Sequence, residues 1–269
     1  MSVELNMPLD VRAYLARIGY SGDLSPTAEV LFALHHAHVT SVPFENLDVY
    51  LGKGIRIDLA SVQAKIVQAR RGGYCFEQNS LFAAVLESLG FKVTRLAARV
   101  RMGATRTLPR THMVLKVEAG GESWMADVGF GWWGVVYPMP LRTGELVRQG
   151  VWQFRMKREG EHWVLESLIE GAWQDQYVFS LEPQLPEDYE MANYMTSTHP
   201  ESRFVLTVTA QRASLDTRRI LKNRDFIICR PEGRTATALP DDAALLDTLS
   251  REFGIVLPEG TSFPRLAVG

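Results

Sequence analysis

Arg70-Arg71-Gly72-Gly73-Tyr74-Cys75-Phe76-Glu77-Gln78-Asn79 leads straight into Ser80 to Leu89, where Leu81, Phe82, Val85, Leu86 and Leu89 share one helical face. Gly90 then stands where a left-handed C-terminal cap belongs. The spacing predicts a helix whose first turn holds Cys75. Unpaired backbone N–H groups and the helix dipole favour an anion there, and the thiolate is the reactive form of cysteine. Taken alone, Cys75 reads equally well as a small buried hydrophobe. A base elsewhere in the chain is what would separate the two readings.

Upstream of this stretch the pattern is helical. Asp10 to Ile18 carries Val11, Tyr14, Leu15 and Ile18 on one face and stops at Gly19. Ser25-Pro26 predicts a capped helix start running to about His36, and Asp58 predicts a cap for Leu59 to Ala69. Between them Ser41 to Asp48 is broken by Pro43 and reads as a loop holding Phe44 and two carboxylates. Arg71 is a natural partner for Glu45 or Asp48, because a guanidinium forks onto carboxylates, and such a pair would pin the loop beside Cys75.

Downstream the period changes to two. Lys92 to Arg101, Thr111 to Glu118 and Ser123 to Val128 read as strands, as do Trp152 to Lys157 and His162 to Ser167 around Glu159-Gly160. They predict a small antiparallel sheet or barrel. The last third mixes types. A short helix is expected over Pro186 to Ser197, strands over Arg203 to Thr209 and Arg218 to Arg230, and a helix over Asp241 to Phe253. Arg218-Arg219 with Lys222 and Arg224 reads as the solvated face of a strand.

Six histidines are candidates for the base. His35, His36 and His38 end a helix without convergent acidic or cysteine ligands, so no metal site is expected. His162 reads as surface, and His199 sits before Pro200 in a loop with no assigned role. His112 is different. A hairpin closed by a two-residue loop at Ala119-Gly120, or by four residues from Glu118 to Gly121, sets it directly opposite Asp127. Facing residues have Cβ atoms about 4.5–5.5 Å apart, so the carboxylate could hold the imidazole's tautomer and stabilise its cation. A plain cross-strand polar pair fits the same spacing. Nucleophile at a helix start, histidine on one strand and aspartate on the next make the set that covalent catalysis uses. Asp127 then runs into Val128-Gly129-Phe130-Gly131-Trp132-Trp133-Gly134, glycines interleaved with aromatics, which suits a close-fitting pocket wall.

Composition narrows the class. The 269 residues are 46% hydrophobic and 22% charged with a formal net charge of −2, which gives no electrostatic footprint for nucleic acid. No run of about 18 apolar residues is present to span a membrane. Met1 to Leu9 lacks a basic region followed by an apolar core, so no signal peptide is expected. Cys75 and Cys229 alone make no disulfide framework and point to the reducing cytoplasm. Cys229, in Phe226-Ile227-Ile228-Cys229, reads as a strand core residue.

Five segments together resemble the arylamine N-acetyltransferase family: Arg71 to Asn79, Val42-Pro43-Phe44-Glu45-Asn46-Leu47, Thr111-His112-Met113, Asp127-Val128-Gly129-Phe130-Gly131 and Ser197-Thr198-His199-Pro200. Gln78 departs from the pattern, where leucine is frequent. The resemblance implies an α+β fold with an N-terminal helical bundle (1–90) carrying the nucleophile, a central antiparallel β-barrel (91–195) carrying histidine and aspartate, and a C-terminal α/β lid (196–269). It implies a Cys75–His112–Asp127 triad of the papain/transglutaminase-like kind, and ping-pong transfer of acetyl from acetyl-CoA to arylamines, arylhydrazines or arylhydroxylamines, the chemistry of xenobiotic metabolism. An oxyanion hole including the Cys75 N–H goes with that mechanism, as do Phe44, Phe130 and Gly131 in substrate binding, with CoA near the Gly129–Gly134 loop. No metal, nucleic acid or membrane is implied, and monomer and homodimer both stay open. The same triad also suits an enzyme acting on peptide amides, and the bare pocket would suit a non-catalytic binding module. The twin glycines with Phe44 and Phe130 favour the acetyltransferases over the first, and the complete triad favours an enzyme over the second.

Overall fold

The computed structural model describes residues 8–264 and 266; residues 1–7, most of the stretch read for a leader, lie outside them. The chain opens with α1 (Val11–Ile18) and α2 (Ala28–Ser41), then β1 (Phe44–Glu45), α3 (Leu47–Tyr50), α4 (Leu59–Gln63) with a π-helical turn over Ala64–Gln68, and α5 (Cys75–Ser88). Nine residues of β2 (Lys92–Val100) start the sheet region, followed by β3 (His112–Ala119), β4 (Glu122–Ala126), β5 (Met139–Pro140), β6 (Val147–Gln149), β7 (Trp152–Glu159), β8 (His162–Ile169) and β9 (Ala172–Pro183). The remainder is α6 (Pro186–Thr198), α7 (Arg203–Leu206), β10 (Thr209–Ala213), β11 (Arg218–Lys222), β12 (Asp225–Arg230), β13 (Gly233–Ala238) and α8 (Asp242–Phe253).

Capping sets the helix ends. The Asp10 carboxylate accepts the Ala13 N–H at 2.8 Å, and Gly19 closes α1 at φ +69°. The cap of α2 is Thr27 rather than Ser25, whose hydroxyl is taken by Asp23 at 3.2 Å. That helix also runs on to Ser41. It stops only where Pro43 forces Val42 into extended geometry, at φ −105° and ψ 114°. Asp58 caps α4 as its sequence suggests.

The architecture is mixed α+β, with two antiparallel sheets among the described residues. The larger has eight strands in the order β5-β4-β3-β2-β9-β8-β7-β6 and curls into a nearly closed barrel. Gln149 bridges its two free ends, accepting the Val136 and Tyr137 N–H groups at 2.7 and 2.9 Å and donating to the Tyr137 carbonyl at 2.9 Å. The smaller has five, in the order β1-β10-β11-β12-β13. The segment read as a loop thus supplies a strand: Phe44 pairs with Gln211 and Glu45 with Ala210. Of the expected strand Arg203 to Thr209, only Thr209 enters one, at the start of β10. Ser202 caps one helical turn before it, and Asn46 Nδ2 ties that turn down through the Phe204 and Thr207 carbonyls at 2.8 and 2.6 Å.

Among the described residues three large apolar cores hold these parts, beside a small fourth of Ile220, Ile227 and Cys229. Tyr14, Leu31, Leu34, Phe76, Phe82 and Leu86 join the N-terminal helices to β3 through Leu115 and Val117. Leu96, Val114, Phe154, Leu165 and Phe179 fill the barrel. Leu245, Leu249 and Phe253 seat α8 on Ala210 and Leu221, and burial of each of those side chains contributes about 1.5–3 kcal/mol. Among the described residues, no helix is long and apolar enough to cross a membrane.

Candidate active site

Cys75 is the first residue of α5, and two glycines permit close chain approaches, one just before it and one directly upon it. A Cβ on Gly72 would stand 2.0 Å from the Pro43 carbonyl oxygen, and one on Gly129 would stand 2.8 Å from Cys75 Cα. Only glycine permits either approach. The thiol is 4% exposed, with Sγ 3.7 Å from the Thr111 carbonyl.

His112 opens β3 and is buried. Its Nε2 donates to Asp127 Oδ2 at 2.7 Å, which leaves Nδ1 as the nitrogen available to sulfur. Burial alone would lower its pKa. The Asp127 charge and hydrogen bond, joined by a hydrogen bond with Cys75, outweigh that and raise it to about 10. Burial opposes the Asp127 charge in the same way, yet His112 and the donors around the carboxylate hold its pKa below the ordinary value.

The two residues do not meet as ladder partners. The hairpin turns at Gly120-Gly121, both at positive φ (+62° and +77°), so Ala119 pairs with Glu122 and Leu115 with Ala126. A type I′ turn needs left-handed geometry at both central positions, which two glycines adopt freely and Ala119 would not. The expected directly opposed pairing of His112 and Asp127 is therefore wrong by two residues. Asp127 lies past the end of β4, and its side chain reaches His112 from outside the ladder.

Residues with no role in the sequence reading hold this carboxylate. Asn79 Nδ2 donates to Asp127 Oδ1 at 2.9 Å and to the Met113 carbonyl at 2.8 Å, while its Oδ1 accepts the Val128 N–H at 3.0 Å. His35 Nε2 accepts the Asp127 N–H at 3.1 Å, so its Nδ1 carries the proton donated to the Val136 carbonyl at 3.0 Å. Tyr177, on the unforeseen β9, packs 4.9 Å from His112. His38 Nε2 donates to Gln78 Oε1 at 3.1 Å and its Nδ1 accepts the Tyr14 hydroxyl at 2.7 Å. Gln78 in turn donates to the Gly73 and Pro43 carbonyls at 2.6 and 3.3 Å. Leu31, Leu34, His35 and His38 share one helical face, a spacing that already marks these histidines as inward-facing.

Arg71 lies where the sequence suggested, between both carboxylates. Nε and Nη2 reach Glu45 Oε1 at 3.0 and 2.8 Å, and Nη2 lies 3.3 Å from Asp48 Oδ1. Lys65 joins the group at 3.0 Å from Asp48 and 2.8 Å from the buried Glu77, whose pKa rises to about 7, chiefly through burial. Above Cys75 and His112 opens a cleft of about 480 Å³ lined by Phe44, Phe130, Trp132 and Phe204, with Gly129 at its edge. Phe130 sets its ring edge-on to His112 at 5.0 Å. His199 lines the mouth, and Gly131 packs behind Phe44.

This geometry belongs to a known group of proteins. A family model described as N-acetyltransferase matches residues 27–261. The arylamine N-acetyltransferase of Mycobacterium tuberculosis is 39% identical over 257 residues, covering 93% of this chain and 90% of the relative. The chain belongs to the arylamine N-acetyltransferase family. A Salmonella typhimurium member named arylamine N-acetyltransferase / N-hydroxyarylamine O-acetyltransferase is 34% identical over 248 residues, covering 91% of this chain and 88% of that one. The Mycobacterium marinum enzyme, solved in complex with CoA, superposes with a TM-score of 0.90 at 36% identity, covering 96% of this chain and 97% of its own.

Proposed function

We propose that this chain transfers acetyl from acetyl-CoA to arylamines, arylhydrazines and arylhydroxylamines by a ping-pong route through acetyl-Cys75. The observation that carries the proposal is the convergence of Cys75, His112 and Asp127 beneath an aromatic-walled cleft, in a member of this family. Names among its relatives support both amine and hydroxylamine acceptors, and the CoA complex of one supports the donor.

The residues perform the two half-reactions as follows. His112 Nδ1 holds the thiol proton, and the Cys75 sulfur attacks the thioester carbonyl. The oxyanion is met by the N–H of Cys75, which as the first helical residue has no intrahelical acceptor. When the tetrahedral species collapses, the carbon–sulfur bond to CoA breaks and His112 returns the proton to the CoA thiolate. An arylamine, neutral at pH 7, then attacks acetyl-Cys75. His112 takes its proton, the amide leaves and the thiol is regenerated. Asp127 keeps the imidazole in the tautomer that presents Nδ1 to sulfur. Phe44 and Phe130 stack on the flat acceptor, Gly131 lets the Phe130 loop approach it, and CoA enters along Gly129–Gly134. Arg71, Glu45 and Asp48 support this wall from behind. The described residues within 1–90, 91–195 and 196–269 serve as bundle, barrel and lid around the site, and two free cysteines suit a cytoplasmic protein.

Intact-protein mass spectrometry after mixing with acetyl-CoA, followed by peptide mapping, tests this. One acetyl group on Cys75, discharged by an added arylamine, is the expected result. A folded protein with an accessible thiol and no adduct would overturn acetyl-CoA as donor and send attention to peptide amides.

A further inference from the structure

Arg218 was expected on a solvated strand face, yet it is 1% exposed. Among the described residues it has no carboxylate partner. Its guanidinium lies over the indole faces of Trp152 and Trp133, 4.7 and 5.3 Å from the ring centroids. Nη1 donates to the Trp132 carbonyl and Nη2 to the Gly134 carbonyl, each at 2.7 Å, while Nε has no hydrogen-bond partner among the described residues. A buried cation without a counter-charge costs stability, and an apolar side chain would fill this space at lower cost. The charge makes physical sense through what it grips.

What it grips is a turn in disfavoured geometry. Trp132 has φ +41°, a left-handed conformation that bulky side chains rarely adopt without being held. Its N–H is held from the other direction by Gln211 Oε1, and Gln211 is anchored by donating to Thr209 Oγ1 at 2.8 Å. Between them Gly131 is wedged so closely that a Cβ would stand 2.9 Å from both Gln211 Oε1 and Phe44 Cγ. Trp132 and Phe130 wall the cleft over Cys75, and Trp132 also borders a second cleft of about 480 Å³ against Trp133 and Trp152.

We infer that Arg218 and Gln211 are positioning residues that clamp the Trp132 backbone at its carbonyl and its N–H, so that two strands of the smaller sheet set the width of the acceptor pocket and select among acceptors. The chemistry on Cys75 does not need the clamp, because neither side chain touches the triad. Its readout is therefore discrimination between acceptors, not acetylation of the thiol. The inference rests on the acetyl-transfer reading above.

Wild type, R218M, Q211M and Q211E are compared in two assays. The first is single-turnover acetylation of Cys75 by p-nitrophenyl acetate; the second is steady-state transfer to aniline and to anilines with para substituents of increasing size. R218M and Q211M should acetylate within about twofold of wild type, while acceptor KM rises about tenfold and the kcat/KM ratio between small and large anilines collapses by about tenfold. Q211E keeps an oxygen acceptor for the Trp132 N–H and should preserve that ratio within about threefold. Amide hydrogen exchange at residues 131–134 should be faster in R218M and Q211M. Unchanged acceptor ratios in folded R218M and Q211M, or a lower Tm with no change in selectivity, would overturn the clamp. Gln211 also lines the cleft, so if R218M does not fold, Q211M supports the clamp only when its lost selectivity comes with faster exchange at residues 131–134, and lost selectivity with unchanged exchange overturns it. A wild type that acetylates no arylamine would instead sink the acetyl-transfer reading, and the exchange measurement would still judge the clamp.

Discussion

His112 Nε2 stands 2.7 Å from Asp127 Oδ2 although the two residues are not partners in the ladder joining β3 to β4. Asp127 escapes the ladder at the end of β4, where Asn79, His35 and the Gly129 N–H take hold of it. A carboxylate fixed by donors on one oxygen is free to spend the other on the imidazole.

D127N should therefore be nearly inactive while folded. One side-chain orientation turns an amide donor toward the donors of Asn79 and Gly129; the other turns it toward His112. The first leaves three donors facing one another and offers His112 only a neutral oxygen; the second removes the acceptor that selects its tautomer, and both remove the charge that stabilises the imidazolium. We expect acetylation of Cys75 to slow by about 10³–10⁴-fold with the near-UV spectrum unchanged, as single-turnover mass spectrometry would show.

N79A attacks the same carboxylate from behind. It strips partners from the Met113 carbonyl, Asp127 Oδ1 and the Val128 N–H, all buried. Asp127 Oδ1 keeps the Gly129 N–H, but losing three buried hydrogen bonds at once should lower stability by about 2–5 kcal/mol, measured by urea denaturation, with a parallel loss of activity.

R71M leaves the fully buried Glu45 without its guanidinium. Breaking such a pair from one side costs about 3–5 kcal/mol. R71K should recover only part of that, because an ammonium cannot reproduce the two contacts made by Nε and Nη2. Chemical denaturation of both variants checks the order wild type, lysine, methionine.

Acid should destabilise this protein through two histidines that never touch substrate. Burial lowers the pKa of His35 to about 4 and of His38 to about 3. Below pH 6.5 the unfolded chain then binds more protons than the folded one. Their stability is complete above pH 6.5 and is lost as pH falls toward 4, with a slope of about 1.4 kcal/mol per pH unit for each. His112 has the opposite sign: raised to about 10, it contributes fully below pH 6.5 and its share is lost as pH rises through 10. Urea titrations from pH 4 to 9 should show a maximum near neutrality. H38Q should be less stable at pH 7.5 and show an acid slope shallower by about one proton.

Much of the fold was legible because its cues are local. Asp10, Asp58 and Asp241 announce helix starts, Gly19 and Gly254 announce ends, and a helix beginning at Cys75 follows from the periodicity of Leu81 to Leu89. The His112–Asp127 contact was anticipated, but through the wrong register: Gly120-Gly121 was the better turn, since both of its residues can take positive φ. Helix α2 outran its expected end because only Pro43, further on, forbids continuation.

Local pattern carries most helices and strands and the side chains able to do chemistry, because periodicity, caps and turn glycines act over a few residues. What surrounds that chemistry comes from the packing of distant elements. His35 beneath Asp127, Phe44 of β1 paired with Gln211 of β10, and Arg218 buried against Trp132 join positions 92, 167 and 86 residues apart. Such contacts depend on how whole elements pack, and no local pattern records which distant partner will arrive.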